Sequence, residues 1–136
     1  MKKIMYVTFL LAFGILLVAC SEKEEEKQLT RIDVQKVDEE GNYEDVIVIK
    51  DQKKIDLINN VLENVSWEPK TKPEMARRQD LLATLYYTME ENTSKNYEYR
   101  IWFNHKTATI ISNNEKEGFG RLDKENTQNL KDVLVK

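Results

Sequence analysis

The stretch Leu82-Ala83-Thr84-Leu85-Tyr86-Tyr87-Thr88-Met89, with the turn residues Glu91-Asn92-Thr93-Ser94 and the return run Tyr97-Glu98-Tyr99-Arg100-Ile101-Trp102-Phe103, decides the fold. Successive side chains of a strand point to opposite faces. Ala83, Leu85, Tyr87 and Met89 therefore share one face, and Leu82, Thr84, Tyr86 and Thr88 the other. β-branched and aromatic residues at this period, bounded by polar turn chemistry, predict two antiparallel strands. Asn104-His105-Lys106 turns the chain into a third strand over 107–112, and Asn113-Asn114-Glu115-Lys116-Glu117-Gly118 turns it into a short fourth over 119–122. One face is expected to carry Ala83, Leu85, Tyr87, Met89, Tyr99 and Ile101 against a helix. On the opposite face Tyr86, Arg100 and Trp102 would sit together only where the register brings them to neighbouring positions.

Outward from this block, two helices and a hairpin complete the pattern. Asp51 is a short carboxylate placed to cap a helix. Ile55, Ile58, Val61, Leu62 and Val65 follow it at spacings of three and four, the stripe of an amphipathic helix packing on the sheet. Asp123 likewise caps a shorter C-terminal helix from about Lys124, with Leu130, Val133 and Leu134 on one side. Docking of that helix on the second sheet face would cover Tyr86, Arg100 and Trp102. Nearer the start, Ile32 and Val34 alternate with Arg31, Asp33 and Gln35. Glu39-Glu40-Gly41-Asn42 supplies a turn, and Val46-Ile47-Val48-Ile49 makes the return strand. Being apolar on both faces, that return strand is expected nearer the middle of the sheet than its partner. The fold expected is α+β: a single, mainly antiparallel sheet of five or six strands in the order ββαββββα, packed against one main helix, with a short C-terminal helix.

Between the first helix and the central strands lies Ser66-Trp67-Glu68-Pro69-Lys70-Thr71-Lys72-Pro73-Glu74-Met75-Ala76-Arg77-Arg78. Two prolines four residues apart forbid a continuous helix or a central strand. Trp67 stands here with Lys70, Lys72, Arg77 and Arg78, which makes this loop the first candidate binding surface. The plainer alternative is that Trp67 closes one end of the core while the basic residues are solvated or face anionic lipid. Tyr86, Arg100 and Trp102 form the second candidate surface, since aromatic and Arg side chains dominate interface anchors. Cross-strand aromatic pairs also stabilise a sheet with no partner at all.

The N-terminus gives an address. Lys2 and Lys3 precede an apolar run over 4–19 interrupted by Thr8 and Gly14. Sixteen residues are short of the roughly 20 that cross a bilayer. Charge, apolar run and a small-residue end match a secretory signal instead. Leu17-Val18-Ala19-Cys20 resembles, position by position, the bacterial lipobox of an aliphatic residue, a small or aliphatic residue, Ala or Gly, and Cys. The resemblance implies a diacylglyceryl group on the Cys20 sulfur, cleavage after Ala19, and a mature chain on the extracytoplasmic face of the cell membrane. An uncleaved anchor, or an ordinary signal peptide leaving Cys20 as a thiol, are the alternatives. Cys20 is the only cysteine, so an exported domain has no internal disulfide, and lipidation accounts for the odd thiol.

The organisation expected is thus a cleaved signal peptide over 1–19, a lipidated cysteine with a charged tether over 20–27, and one globular domain over 28–136. Ser21-Glu22-Lys23-Glu24-Glu25-Glu26-Lys27 has no apolar residue with which to offset ordering entropy, so it reads as a spacer. The chain carries 21 basic and 24 acidic residues, and removal of Lys2 and Lys3 leaves 19 against 24. That balance is the wrong sign for nucleic acid, which selects basic surfaces.

No catalytic constellation is legible. With Cys20 lipidated and His105 the only histidine, no Cys–His pair, His-rich zinc site or HExxH arrangement is expected. Ser66, Ser94 and Ser112 lack a nucleophile elbow. With four glycines there is no phosphate loop, and no cofactor is expected. The order of elements, with Tyr99-Arg100-Ile101-Trp102-Phe103, the strand over 107–111 and the helix over 122–134, resembles the YhfM-like small lipoproteins of Gram-positive bacteria. That resemblance implies a membrane-tethered domain and brings no catalytic residue with it. The function expected is a non-enzymatic binding or interaction module for an envelope protein or small ligand. The alternatives are a wall-polymer hydrolase using carboxylates, or a precursor whose leader becomes a signalling peptide.

Overall fold

Alternation of apolar and polar residues becomes strand in the structure, a computed structural model that describes residues 27–135. In chain order the elements are β1 (Lys27–Lys36), β2 (Ile47–Ile49), α1 (Gln52–Glu63), β3 (Ser66–Glu68), β4 (Leu81–Met89), β5 (Ser94–Asn104), β6 (Thr107–Ser112), β7 (Phe119–Leu122) and α2 (Lys124–Leu134). All strands join one sheet in the order β2-β1-β4-β5-β6-β7-β3, and every pairing is antiparallel. The α+β class stands. The expected five or six strands become seven, and the element order gains β3 between α1 and β4.

β3 escaped the sequence because it is three residues long, squeezed between a helix and Pro69. Its Trp67 pairs opposite Gly120 of β7. A side chain at Gly120 would meet the Trp67 ring at 2.7 Å, so the glycine makes room for the indole.

The second correction concerns β2. It lies at the sheet edge, and β1 lies inside, between β2 and β4. The apolar run read as a sign of central burial is half exposed at Val46, Ile47 and Val48. Alternation reports which faces a strand shows, whereas its place in the sheet depends on neighbours far away in sequence. β1 also carries a bulge between Leu29 and Arg31, where the register to β4 shifts. One extra residue lets Leu29 and Ile32, three apart, both turn inward.

Both helices pack on the same face. Ile55, Ile58 and Val61 of α1 join Leu130, Val133 and Leu134 of α2 in one core with Leu29, Ile32, Leu85, Tyr99, Ile101 and Ile110 of the sheet. Asp51 and Asp123 cap the helices as expected, accepting the backbone N–H of Lys53 at 3.2 Å and of Asn126 at 2.9 Å. Because α2 lies beside α1, the second face is left to something else. That something is the proline-containing segment before β4.

Among the described residues no helix is long and apolar enough to cross a membrane. Cys20, the lipobox Leu17, Val18 and Ala19, the signal peptide and the tether as far as Glu26 lie outside the described residues. β1 begins at Lys27, one residue ahead of the expected domain boundary.

Candidate functional site

Residues 69–79 form a strap across the second face, over β5, β6 and β7. Antiparallel register fixes what lies beneath it. Trp102 of β5 stands beside Thr109 of β6, which stands beside Arg121 of β7. The next row holds Arg100, Ile111 and Phe119. Each arginine lies near an aromatic ring: the Arg100 guanidinium is 5.9 Å from the Trp102 ring, and that of Arg121 is 5.3 Å from Phe119. Neither forms an ion pair with a carboxylate among the described residues.

The strap is held at both ends. At its start Pro69 presses on Gly118, whose φ of +70° suits glycine and whose absent side chain would lie 2.9 Å from the proline backbone. At its finish the Arg78 guanidinium crosses Gly41 (φ +86°) and donates to the Glu40 carbonyl at 2.6 Å. Between them, Trp102 Nε1–H donates to the Arg77 carbonyl at 2.8 Å. Arg77 in turn donates to both Asp80 oxygens, at 2.8 and 3.1 Å, and to the Phe103 carbonyl at 2.7 Å. Asp80 also accepts the Phe103 N–H at 2.7 Å. Burial alone would raise the Asp80 carboxyl, but the Arg77 hydrogen bonds, the Phe103 N–H, and the charges of Arg77 and Lys131 outweigh it and hold the group below the usual aspartate value.

Two hollows flank the strap and share Pro73 as a wall. The larger, about 680 Å³, is lined by Met75, Asn104, Thr109, Phe119, Arg121 and Asp123 among others. The smaller, about 450 Å³, is lined by Lys72, Arg100, Ile111, Asn114 and Glu115 among others. Their sizes fall within the range of small-molecule sites. Each hollow offers a guanidinium, an apolar wall and hydrogen-bonding groups, with one carboxylate at its lining: Glu115 beside Lys72 and Arg100 in the smaller, and in the larger Asp123, whose Oδ1 is taken up in capping α2. That combination suits an anionic group attached to an apolar body.

The two candidate surfaces read from the sequence thus meet in part. Lys72, Arg100 and Trp102 come together at the strap. Arg77 and Arg78 belong to it but serve as anchors, with their donors directed at protein acceptors. Lys70 is exposed on the strap. Trp67 is on the opposite face, its ring 6.2 Å from Tyr99 in the core, so the reading of it as a closure of the core applies. Tyr86 shares the face of Trp102 but pairs with Asn96, six residues along β5, about 20 Å away at the rise of a strand. It is occupied by Arg31, whose guanidinium lies 3.9 Å from its ring and 3.1 Å from Asp33.

Sequence reasoning missed Arg121, Phe119, Met75 and Asn104. The run Phe119-Gly120-Arg121-Leu122 did carry the alternation that sets Arg121 and Phe119 on one face, but four residues say nothing about what lies above them. A further polar cluster lies on the helix side: Tyr99 Oη–H and Ser112 Oγ–H both donate to Glu117 Oε1, at 2.6 and 3.0 Å. Burial first, and then the charges and bonds of its neighbours, push the Tyr99 phenol far up, which suits a buried strut of the β6–β7 turn.

Among the described residues no group of three or more His, Cys, Asp or Glu side chains is arranged to hold a metal ion. Comparison with protein-family models, with curated proteins and with solved structures finds no match for this chain.

Proposed function

We propose that this chain is an extracytoplasmic lipoprotein, anchored in the cell membrane through Cys20, whose domain is a non-enzymatic binding module. Its ligand-taking surface is the strap and the hollows beside it. The observation that carries this reading is the pair Arg100 and Arg121. Each is a guanidinium lining a hollow beside an aromatic ring, with no carboxylate partner among the described residues. Arginine presents a rigid fork matched to carboxylate and phosphate, so the class of ligand favoured is an anionic small molecule or an acidic segment of an envelope protein. Hydrolysis by carboxylates finds less support. Asp80 is displaced downward, the wrong direction for a general acid near neutral pH, and its oxygens are taken by Arg77 and Phe103.

Two experiments test the two halves. Titration of the purified protein with pyrophosphate and with a glutamate-rich peptide, followed by amide chemical shifts, should move β6, β7 and strap signals. Arg100→Gln with Arg121→Gln should erase those shifts. Shifts that persist in the double variant would remove the strap surface from consideration. Separately, Cys20→Ala should abolish labelling by a fatty-acid probe and release the protein from membranes. Undiminished labelling would end the lipid-anchor reading.

A further inference from the structure

Five large apolar side chains are exposed among the described residues, and four of them, Tyr43, Val46, Ile47 and Val48, lie along one edge of the sheet, each about half exposed. That edge is β2, which pairs with β1 on one side and, among the described residues, has no strand on the other. An edge strand offers a row of N–H and C=O groups to any further strand, and native proteins usually place charge or proline there. Here Val46-Ile47-Val48-Ile49 carries neither. Just before β2 the register passes from Val37↔Tyr43 to Val34↔Ile47, so residues 44–46 stand opposite two residues of β1 and Val46 leads from this bulge into the strand.

We propose that β2 pairs antiparallel with β2 of a second copy of this chain, about a two-fold axis through Ile47 and perpendicular to the sheet. Such an axis keeps the same face of both sheets upward, so paired residues must share a face, and only registers with an even sum of residue numbers are allowed. Centring on Ile47 sets Ile47 against itself and Val46 against Val48 twice. It also carries Lys50 of each copy to the Glu44-Asp45 end of the other, so basic and acidic groups meet at both ends. Centring on Val48 instead would set Lys50 against Val46 and Asp51 against Asp45, losing the attraction and adding repulsion. Charge therefore selects both the occupant, a second copy, and the register. The inference stands apart from the ligand reading, since β2 lies at the far side of the sheet from β6 and β7.

The contact is a single short strand pair, so the dimer is a weak one, of micromolar to millimolar dissociation constant. Sedimentation equilibrium of the full chain in detergent should show monomer and dimer. Lys50→Glu should weaken the dimer by about tenfold or more, and Glu44→Lys with Asp45→Lys should do the same. Combining all three substitutions should restore wild-type association to within about threefold, because each acidic end then meets its opposite again. All three positions are exposed, and far-UV circular dichroism checks that each variant folds. A chain that stays monomeric up to about 1 mM, as it would if this edge served another protein's strand, overturns the proposal. Growth beyond two copies, or a triple variant that fails to recover, overturns it as well.

Discussion

Trp102 donates its indole N–H to the backbone carbonyl of Arg77 at 2.8 Å, so one buried side chain of β5 fastens the strap to the sheet. Trp102→Phe keeps an aromatic ring there but leaves that carbonyl without its partner. The expected loss is about 1–3 kcal/mol for the unmet acceptor and the smaller ring, measured by urea denaturation. Limited proteolysis between residues 70 and 76 should accelerate in the same variant. An unchanged midpoint with unchanged proteolysis would mean that the strap is held elsewhere.

Asp80 joins three things at once: the Arg77 fork, the Phe103 N–H and the start of β4. Its carboxyl is held below the ordinary value of 3.8, so the folded state favours the ionised form. That contribution is present above the ordinary aspartate range and is lost as pH falls through it. Asp80→Asn should lower the melting temperature at pH 7 and flatten the acid side of the stability profile below about pH 4. Equal acid slopes in the two proteins would contradict the assignment.

Tyr87 gives the alkaline counterpart. Burial first, and then the charge of Glu117, push its phenol up to about 12, so the folded chain keeps this proton after the unfolded chain has lost it. Stability from this group is complete below about pH 10 and declines as pH rises towards 12. Tyr87→Phe should remove about one proton from that slope, or about 1.4 kcal/mol per pH unit. Tyr99 titrates in the same direction, so part of the slope remains in the variant.

The two glycines under the strap should differ in their tolerance. Both have positive φ, so alanine strains either by about 1 kcal/mol. At Gly41 the obstructing group is the end of the Arg78 side chain, which can swing away. At Gly118 it is the backbone of Pro69. Gly118→Ala should therefore cost about 1–3 kcal/mol more than Gly41→Ala by thermal denaturation. The reverse order would show that the Arg78 contact, and not the proline, fixes the strap.

Much of this molecule is written locally. The alternation from Leu82 to Phe103 placed its residues on the correct faces, and Asp51 and Asp123 announced both helix starts. Position in the sheet is a different kind of information. β2 is a β-branched run whose apolar residues read as buried, yet it stands at an edge, because nothing within four residues records how many neighbours a strand will have. The candidate site had the same fate. Arg100, Trp102 and Lys72 were each visible as surface chemistry, but their meeting depends on a strap that crosses three strands. Arg121 went unread because its strand is short and its groove is made by residues some fifty positions earlier. Tyr86 was grouped with Trp102 on a shared face, and the register then set them six residues apart.

The placement of β1 bears on how the domain would respond to force. A pull on residue 27 along the strand axis acts on a strand that meets β4 at nine registered positions, from Lys27↔Met89 to Lys36↔Leu81, and meets β2 as well over 32–34. Tension applied there shears those bonds together instead of unzipping them one by one. A load arriving through the N-terminal segment along that axis would therefore reach the core as a stress shared across the β1–β4 register.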